Sequence, residues 1–420
     1  MTPYQRFVAA SGLTNLADGV AVVAWAWAAS LLTRDALLVA LVPVALRMPW
    51  FLLALPAGIV TDRVDRRRLI VAMDGVRAAA FVLAAGAVVL ALPLAVAPDV
   101  GVSDAGLYAV ILIAALAVGG AEVFRDNAAQ TMLPAMVPDA ELERANGRLW
   151  SVEMVANALI GPVVGAFLIG LWLPLPFVLN ALAYGLAMWL MLHLAGDFRA
   201  ERVAAPDWRR ELGEGMAFLR EAPLLRTMAW TTGFWNLWHQ MVAIALVLHA
   251  QENFDLGASA YGLMLAGGAI GGVAGSLAGP WIAARLGNAR TMQWMLAASP
   301  LAFLVIALAP GPVVIAGALA FMEFTGLVWN VVSVSTRQRM IPDVLLGRVN
   351  SLYRLLAWGM MPLGLLLSGL VMRLADGVVL RDTALILPFL VAALGAGVLS
   401  RATWAALGRG FAAAMPDEKI

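Results

Sequence analysis

Long apolar segments recur along the whole chain and restrict its fold more than any other feature. Segments such as 109–119 and 296–309 are apolar on every side, whereas the strands of a membrane β-barrel alternate apolar and polar residues over about 10 positions. Hydrophobic residues make up 62% and charged residues 13% of the 420 residues, against roughly half and about a quarter in soluble domains. Because a helix satisfies its own backbone hydrogen bonds in lipid, the sequence predicts an all-α membrane protein.

Twelve membrane spans are predicted, since each span needs roughly 20 apolar residues and Pro, Gly and charged clusters divide the sequence into that many segments. Asn15 and Asp18 interrupt the first segment, which is also too long for a cleavable signal peptide, so no such peptide is predicted. The predicted spans lie near 8–32, 37–61, 69–92, 106–132, 147–172, 175–194, 224–250, 259–284, 291–309, 312–336, 348–374 and 383–407.

Arginine residues alternate between successive loops and orient the spans. They cluster after spans two, eight and ten, before span five and within 196–223, whereas the opposite loops hold only Arg34, Arg373 and Arg381. Basic loops face the cytoplasm by the positive-inside rule. Both termini are therefore expected in the cytoplasm, as an even number of spans requires.

The longest polar stretch, 196–223, divides the chain into two predicted six-helix halves, 1–195 and 224–420. Apolar residues recur within this stretch at helical spacing, which predicts an amphipathic linker helix on the inner membrane surface. The halves also share a repeat, because Pro, Asp, Leu, Arg and Asn match at a constant offset between 136–146 and 340–350. Parallel repeats of this kind are typical of transporters that bind substrate between their halves, near the bilayer midplane.

The loop after span two carries a motif of a known type. Residues 58–68 read Gly-Ile-Val-Thr-Asp-Arg-Val-Asp-Arg-Arg-Arg, which resembles the Gly-x-x-x-Asp-Arg-x-Gly-Arg-Arg motif of the major facilitator superfamily. Asp65 stands where the motif has its second glycine, and this variant is similar to the branch of macrolide-efflux pumps and enterobactin exporters. The resemblance implies twelve helices in two pseudo-symmetric halves, in a bacterial cytoplasmic (inner) membrane.

The same resemblance implies an inner gate. Gly58 lets neighbouring helices approach closely, and Asp62 can meet the positive N-terminus of another helix, which in the family is the start of span eleven, here 347–350. That contact would hold the two halves closed on the cytoplasmic side. The arginines of the loop pair with Asp62 or with anionic headgroups, or they only set the topology. These arginines are Arg63, Arg66 and Arg67.

Span five contains Gly161-Pro162-Val-Val-Gly165, which resembles the core of the antiporter motif in drug exporters. Pro162 removes a backbone hydrogen bond and kinks the helix. Asn157 stands where the longer motif has a glycine. A generic kink in a membrane helix is the alternative, and we interpret the motif as favouring export over import.

Ionisable residues inside apolar spans are costly and usually functional. Asp18 lies midway along span one without a basic neighbour on its own helix, and it is the first candidate for proton coupling, followed by Glu122 and Glu323. Static ion pairs that only set helix register are the alternative, above all in span four, where Glu122, Arg125 and Asp126 share one face. The intramembrane charge partners are Arg47, Arg125, Asp126 and Glu153.

Aromatic and polar side chains of the C-terminal half are candidates for the substrate cavity. Aromatic walls with few polar groups suit large amphipathic ligands, and a tryptophan face can hold a cation. The enrichment of Trp at membrane interfaces is the alternative explanation. The candidates are Trp235, Asn236, His239, Gln240, Trp329, Asn330, Arg354 and Trp358.

The residue types present exclude several functions. The chain has no cysteine, which excludes thiolate metal sites and cysteine nucleophiles, and its only lysine, Lys419, lies outside any Gly-rich phosphate loop. His193, His239 and His249 are not spaced as a metal-binding cluster. We therefore expect no enzyme activity, no cofactor, no metal and no nucleic-acid partner.

The expected function is that of a proton-driven exporter, whose two halves rock about a central site and carry lipophilic drugs or natural products out of the cell. Its expected partners are a small-molecule substrate, protons and the lipid bilayer, and the protein is expected to be a monomer. An exporter of siderophores or other anionic metabolites is the alternative, with Arg47, Arg125 and Arg354 as ligands. A non-transporting sensor or scaffold on the same fold is a third interpretation.

Overall fold

The computed structural model contains helices and no strand among the residues that it describes. These are residues 2–61, 63–133, 136–138, 149, 152–153, 155–196, 198 and 208–414. The helices are α1 Pro3–Leu32, α2 Ala36–Thr61, α3 Arg66–Ala91, α4 Ala105–Met132, α5 Gly161–Leu171, α6 Leu175–Leu192, α7 Trp208–Glu221, α8 Pro223–Glu252, α9 Ala258–Leu286, α10 Asn288–Leu308, α11 Pro312–Met340, α12 Asp343–Gly359, α13 Met361–Asp376, α14 Arg381–Ala384 and α15 Leu387–Ala414.

The chain is a multi-pass membrane protein. Within the described ranges, ten helical segments are long and apolar enough to cross a membrane. Two more helices coincide with predicted spans: the shorter apolar segment Val155–Leu171, and α8, which is 30 residues long. The all-α fold is confirmed, and the number of twelve spans is consistent with these helices and stays a prediction.

The chain divides into two compact units. The first covers Met1–Ala204 and Leu256–Leu263, and the second covers Ala205–Asp255 and Met264–Ile420. Helices α1 to α6 belong to the first unit, and α7, α8 and α10 to α15 belong to the second. Helix α9 begins in the first unit and continues in the second. The predicted boundaries of the linker stay predictions.

Local sequence determines where several helices begin. The side chain of Thr2 accepts a hydrogen bond from the backbone of Gln5 at 3.2 Å, and the Gln5 side chain accepts one from the backbone of Thr2 at 2.9 Å, which is a capping box at the start of α1. Asp65 caps α3, because its Oδ1 accepts from the Arg68 N–H at 2.9 Å. The residue that replaces the motif glycine therefore starts the third span.

Helices pack most closely where one of them presents a glycine. A Cβ atom on Gly119 of α4 would overlap the carbonyl group of Leu46 on α2, and a Cβ atom on Gly271 of α9 would overlap the carbonyl group of Ala320 on α11. Small residues let backbones approach in this way inside a membrane. Side chains next to these contacts are thereby brought within reach of each other.

The predicted amphipathic helix forms as α7 and packs on the second unit. Leu219 on its apolar face joins a buried cluster with Val349 and Leu352 of α12. The predicted eleventh span is two helices rather than one, since α12 ends at Gly359 and Pro362 lies in the first turn of α13. Proline has no N–H for the preceding turn and suits a helix start.

Candidate coupling and binding sites

A buried ion pair joins α1 to α3. Arg77 of α3 is 0% exposed, and its Nη2 donates to Oδ1 of Asp18 and, at 2.8 Å, to the hydroxyl of Tyr184 on α6. The same hydroxyl donates to Oδ1 of Asp18 at 2.6 Å. The Arg77 guanidinium also lies 4.1 Å from the centre of the Tyr184 ring. The first candidate for proton coupling is therefore held by donors from two other helices.

Further charges continue this contact through α3 and α4. Oδ1 of Asp74 lies 3.9 Å from Nη1 of Arg77 and 3.7 Å from Nε of Arg125. Arg125 contacts Oδ1 of Asp126 at 3.3 Å, and its Nη2 donates to the Ser11 hydroxyl on α1 at 3.2 Å. One continuous row of five charged side chains therefore runs from the α1 carboxylate to Asp126, and we call it the charge row.

Carboxylates outnumber guanidiniums in the charge row by three to two. Asp74 is completely buried, and neither of its oxygens accepts a hydrogen bond from the part of the chain that the structure describes. An uncompensated buried charge is strongly destabilising. One proton on any of the three carboxylates would leave the row without net charge.

Glu122 and Arg47 form a separate pair between α4 and α2. Nη1 of Arg47 lies 3.8 Å from Oε1 of Glu122, next to the close approach of these two helices. Within span four, the intrahelical ion pair is that of Arg125 with Asp126. Arg47 is therefore the ion-pair partner of Glu122, whereas the partner of Asp18 is an arginine of α3.

The predicted kink in span five is a π-helical turn, Val155–Ile160, directly before α5. Pro162 has no N–H to donate to that turn, which is a usual cause of such irregularity. Gly161 lies against Gly19 of α1, where a side chain on either residue would overlap backbone atoms, and Gly165 lies against the same helix one turn later. The kink therefore contacts α1 at the residue that follows Asp18.

Two other polar residues lie near this turn. Glu153 is half-buried, and its charge interacts with that of Arg125. Asn157 donates from Nδ2 to Oδ1 of Asn15 on α1, at 3.5 Å. The Asn157 contact links span five to the helix that carries Asp18.

The arginines after α2 bind the C-terminal ends of other helices in the first unit. Nη1 of Arg66 donates to the carbonyl oxygen of Thr131 in the last turn of α4, at 2.9 Å. Nη1 of Arg67 donates to the carbonyl oxygen of Leu194, just after α6, at 2.7 Å. A helix C-terminus carries partial negative charge and attracts cations. These two arginines therefore hold the start of α3 to the ends of α4 and α6.

Only some of the remaining residues of the predicted gate belong to the described part of the chain. Gly58 lies in the last turn of α2, and Arg63 is exposed just after that helix. Asp62 lies outside the described residues, as does most of the first copy of the repeat, from 139 to 146. The gate stays a prediction.

The second unit contains an imidazole that contacts both a carboxylate and an indole. Nε2 of His239 on α8 lies 2.8 Å from Oε1 of Glu323 on α11. The rings of His239 and Trp235 stack with their centroids 4.9 Å apart. Three of the residues predicted from the sequence are therefore brought together, and we call them the His–Glu–Trp cluster.

Four of the other predicted cavity residues contact groups outside that cluster. Nδ2 of Asn236 donates to the backbone of α12 at 2.8 Å, and Nε1 of Trp329 donates to Thr232 at 3.2 Å, so both have structural partners. The Arg354 guanidinium lies 5.4 Å from the centre of the Trp358 ring. Gln240 is half-buried and Asn330 is exposed.

Sequence reasoning misses Asp74, Arg77 and Tyr184. Asp74 and Arg77 are ionisable residues one turn apart in an apolar span, which is the same signal that identifies Asp18. That signal is sufficient to find them. Tyr184 has no such signal, because tyrosine is an ordinary residue of membrane helices, and only its contacts single it out.

Known proteins resemble this chain over most of its length. The sequence matches the family described as "Transmembrane secretion effector" over residues 3–401. The multidrug efflux pump Tap of Mycobacterium tuberculosis is 27% identical over 402 residues, which cover 90% of this chain and 88% of Tap. The multidrug efflux pump Tap of Mycolicibacterium fortuitum is 28% identical over 405 residues, which cover 91% and 92% of the two chains.

Solved transporter structures share the fold at low sequence identity. The nucleoside transporter NupG has a TM-score of 0.71 at 14% identity, over 97% of this chain and 100% of NupG. A bacterial homologue of the iron transporter ferroportin has a TM-score of 0.69 at 17% identity, over 96% of this chain and 98% of its own. Because the family match covers nearly the whole chain, this protein belongs to the transmembrane secretion effector family of the major facilitator superfamily.

Proposed function

We propose that this protein exports lipophilic small molecules across a bacterial inner membrane in exchange for protons. It works as a monomer by alternating access, with both termini in the cytoplasm and with Asp62 in the gating role that the family resemblance implies. Two observations support export. The relatives at 27% and 28% identity are named multidrug efflux pumps, and the Gly161-Pro162 kink resembles that of antiporters.

The single observation that carries proton exchange is the surplus carboxylate in the charge row. A largely buried row with one unpaired negative charge gains stability when it binds one positive charge, and a proton binds directly to a carboxylate oxygen that is already in place. Asp18 is the carboxylate that we assign to this proton. Asp74 is completely buried, and Asp126 pairs with its neighbour on the same helix, whereas Asp18 is 15% exposed and its ion pair joins two helices. Protons can therefore reach Asp18.

Arg77 gives the protonation of Asp18 a structural consequence. The guanidinium lies between Asp18 on α1 and Asp74 on its own helix. When Asp18 is protonated, Arg77 keeps Asp74 as its counterion. The hydrogen bond from Arg77 to Asp18 then has a neutral acceptor, so it holds α1 to α3 less strongly than the ion pair does. Because Gly19 packs on the kink of span five, a change at Asp18 also alters the contact of α1 with span five.

The paired state of the arginines argues for neutral or cationic cargo rather than anionic cargo. Arg125 is 2% exposed and already contacts Asp74 and Asp126. Arg47 is paired with Glu122. An anionic metabolite would have to displace these carboxylates from positions inside the membrane.

Transport in inside-out vesicles with an acidic lumen tests the proposal. A pH-sensitive dye reports lumenal protons while cationic dyes and macrolides are added outside. We expect transported compounds to release lumenal protons with the wild-type protein and not with Asp18→Asn, because an amide does not carry the proton. The matched control is Glu214→Gln, which removes a partly exposed carboxylate from α7, where it pairs with Arg210, and should behave as wild type.

Two results would contradict the proposal. Proton release that is unchanged in Asp18→Asn would remove Asp18 from the coupling, and the same assay would then be applied to Glu122→Gln and Glu323→Gln. Transport of the compounds without any proton release by the wild-type protein would overturn proton exchange itself.

A further inference from the structure

Glu323 differs from the other two candidates for proton coupling in its counterion. Among the described residues its only ion-pair partner is His239, a group that is charged only when protonated. Asp18 and Glu122, by contrast, each have an arginine partner. In the described part of the chain, Glu323 is therefore a carboxylate inside the membrane without a permanent cation, and such a group favours the binding of a positive charge.

The imidazole of His239 occupies the place that a bound cation would take. It lies between the Glu323 carboxylate and the face of the Trp235 ring, and the two rings are inclined by only 27°. A carboxylate supplies charge and hydrogen-bond acceptors to an ammonium group, and the negative face of an indole attracts the same group. The two groups that suit an ammonium ion therefore already face one position.

Neighbouring residues hold the Trp235 ring in this orientation. Its Nε1 donates to the Ser299 hydroxyl on α10 at 2.9 Å. Gly326 on α11 leaves the space that the ring fills, since a Cβ atom there would lie 2.9 Å from Cη2 of Trp235. The indole face is thus oriented by α10 and α11 before any ligand binds, which lowers the entropic cost of binding.

The cluster is also within reach of a ligand. The side chains of His239 and Glu323 are 23% and 28% exposed, whereas Asp74 and Arg77 are completely buried. A ligand can contact Glu323 after the imidazole rotates away, without opening a packed core.

We propose that Glu323, His239 and Trp235 form a binding site for the protonated amine of a transported compound. The ammonium group displaces His239 from Glu323, donates to the carboxylate and lies against the Trp235 ring. This inference rests on the proposed export function and adds a substrate class to it. Glu323 then neutralises the charge of the cargo, while the charge row carries the proton.

Calorimetric titration of the purified full-length protein tests this site without vesicles or a proton gradient. The probes are naphthylethylamine, which is protonated at neutral pH, and its neutral N-acetyl derivative, and protein-free detergent micelles are titrated as the blank. We expect the wild-type protein to bind the amine at least about tenfold more tightly than the amide, because hydrogen bonds to charged groups are the stronger ones.

Three variants separate the roles within the cluster. Glu323→Gln should bind the two probes equally, within about twofold, because the charge is gone while the shape is kept. His239→Ala should bind the amine at least as tightly as wild type, since the competing imidazole is absent. Trp235→Leu should weaken amine binding by about threefold to tenfold. The control Glu214→Gln should match wild type.

Equal binding of amine and amide by the wild-type protein would overturn the inference, and that comparison needs no variant. An unchanged preference for the amine in Glu323→Gln would overturn it as well, as would loss of amine binding in His239→Ala. Amine preference without proton release in vesicles would leave this site standing and contradict proton exchange alone.

Discussion

The hydroxyl of Tyr184 on α6 donates a 2.6 Å hydrogen bond to Oδ1 of Asp18 on α1, and Arg77 of α3 donates to both groups. Three helices thus meet at one carboxylate oxygen. The Tyr184 ring stacks on Phe81 at 5.4 Å, and Phe81 contacts Trp25 at 5.1 Å. Aromatic rings therefore close one side of the contact, where low polarity strengthens electrostatic interactions.

Tyr184→Phe should uncouple transport from protons more than it affects folding. The variant removes one donor to the Asp18 carboxylate, which should lower the free energy of unfolding by about 1.5–3 kcal/mol and reduce proton release in vesicles. Tyr108→Phe is the matched control, because it also loses one hydrogen bond, from its hydroxyl to the Leu38 carbonyl oxygen at 2.7 Å. Equal proton release by the two variants would show that the Tyr184 hydroxyl is only structural.

Arg77→Gln should be partly rescued by Asp74→Asn. The single variant leaves Asp18 and Asp74 without the cation between them, and removing one partner of a buried ion pair costs about 3–5 kcal/mol. Removing the Asp74 charge as well should restore more than about 1 kcal/mol of the lost free energy of unfolding. Interaction energies of this size are usual for residues in direct contact. Thermal unfolding in detergent, with all four proteins of the cycle, measures the coupling. Strictly additive losses would refute the charge row as one electrostatic unit.

Pro162→Ala should reduce transport severalfold while leaving stability unchanged or higher. The alanine supplies the missing N–H and allows span five to continue as a regular helix, which would move its contact with α1. Pro312→Ala is the control, because Pro312 lies in the first turn of α11, where proline replaces no helical hydrogen bond. Initial rates of dye transport compare the two. Wild-type rates in Pro162→Ala would mean that the kink is dispensable.

Arg66→Gln and Arg67→Gln should each destabilise the first unit in a salt-dependent way. Each arginine binds a carbonyl oxygen at or just after the end of a helix, and such contacts contribute about 0.3–1 kcal/mol at low ionic strength. Arg63→Gln is the control, since that side chain is exposed. The free energy of unfolding, measured at low and at high salt for each variant, checks this prediction. A loss that does not shrink at high salt would indicate packing by the arginine stems instead.

The positions of the helices could largely be predicted from the sequence. The predicted span 312–336 corresponds to α11, Pro312–Met340, and the predicted span 106–132 corresponds to α4, Ala105–Met132. Helices in lipid need a minimum apolar length and internal backbone hydrogen bonds, and both conditions are local. The break before Pro362 was not predicted, because the apolar pattern predicts one span over 348–374, although the cause of the break is a single residue.

Some of the candidate residues could also be predicted, because their signal is local. A charge in an apolar span is a local signal, and it identifies Asp18, Glu122 and Glu323. The same signal would have found Asp74 and Arg77, had it been applied to span three.

Only the tertiary structure decided which of these residues act together. Arg77 pairs with Asp18 from 59 positions away, and His239 pairs with Glu323 from 84 positions away. Such pairs depend on which faces of two helices meet, and those faces are chosen by contacts such as that of Gly119 with the α2 backbone. The sequence by itself determined that this chain spans the membrane as helices and places charges within it. The packing of those helices determined that one carboxylate is held by an arginine and a tyrosine, and another by a histidine.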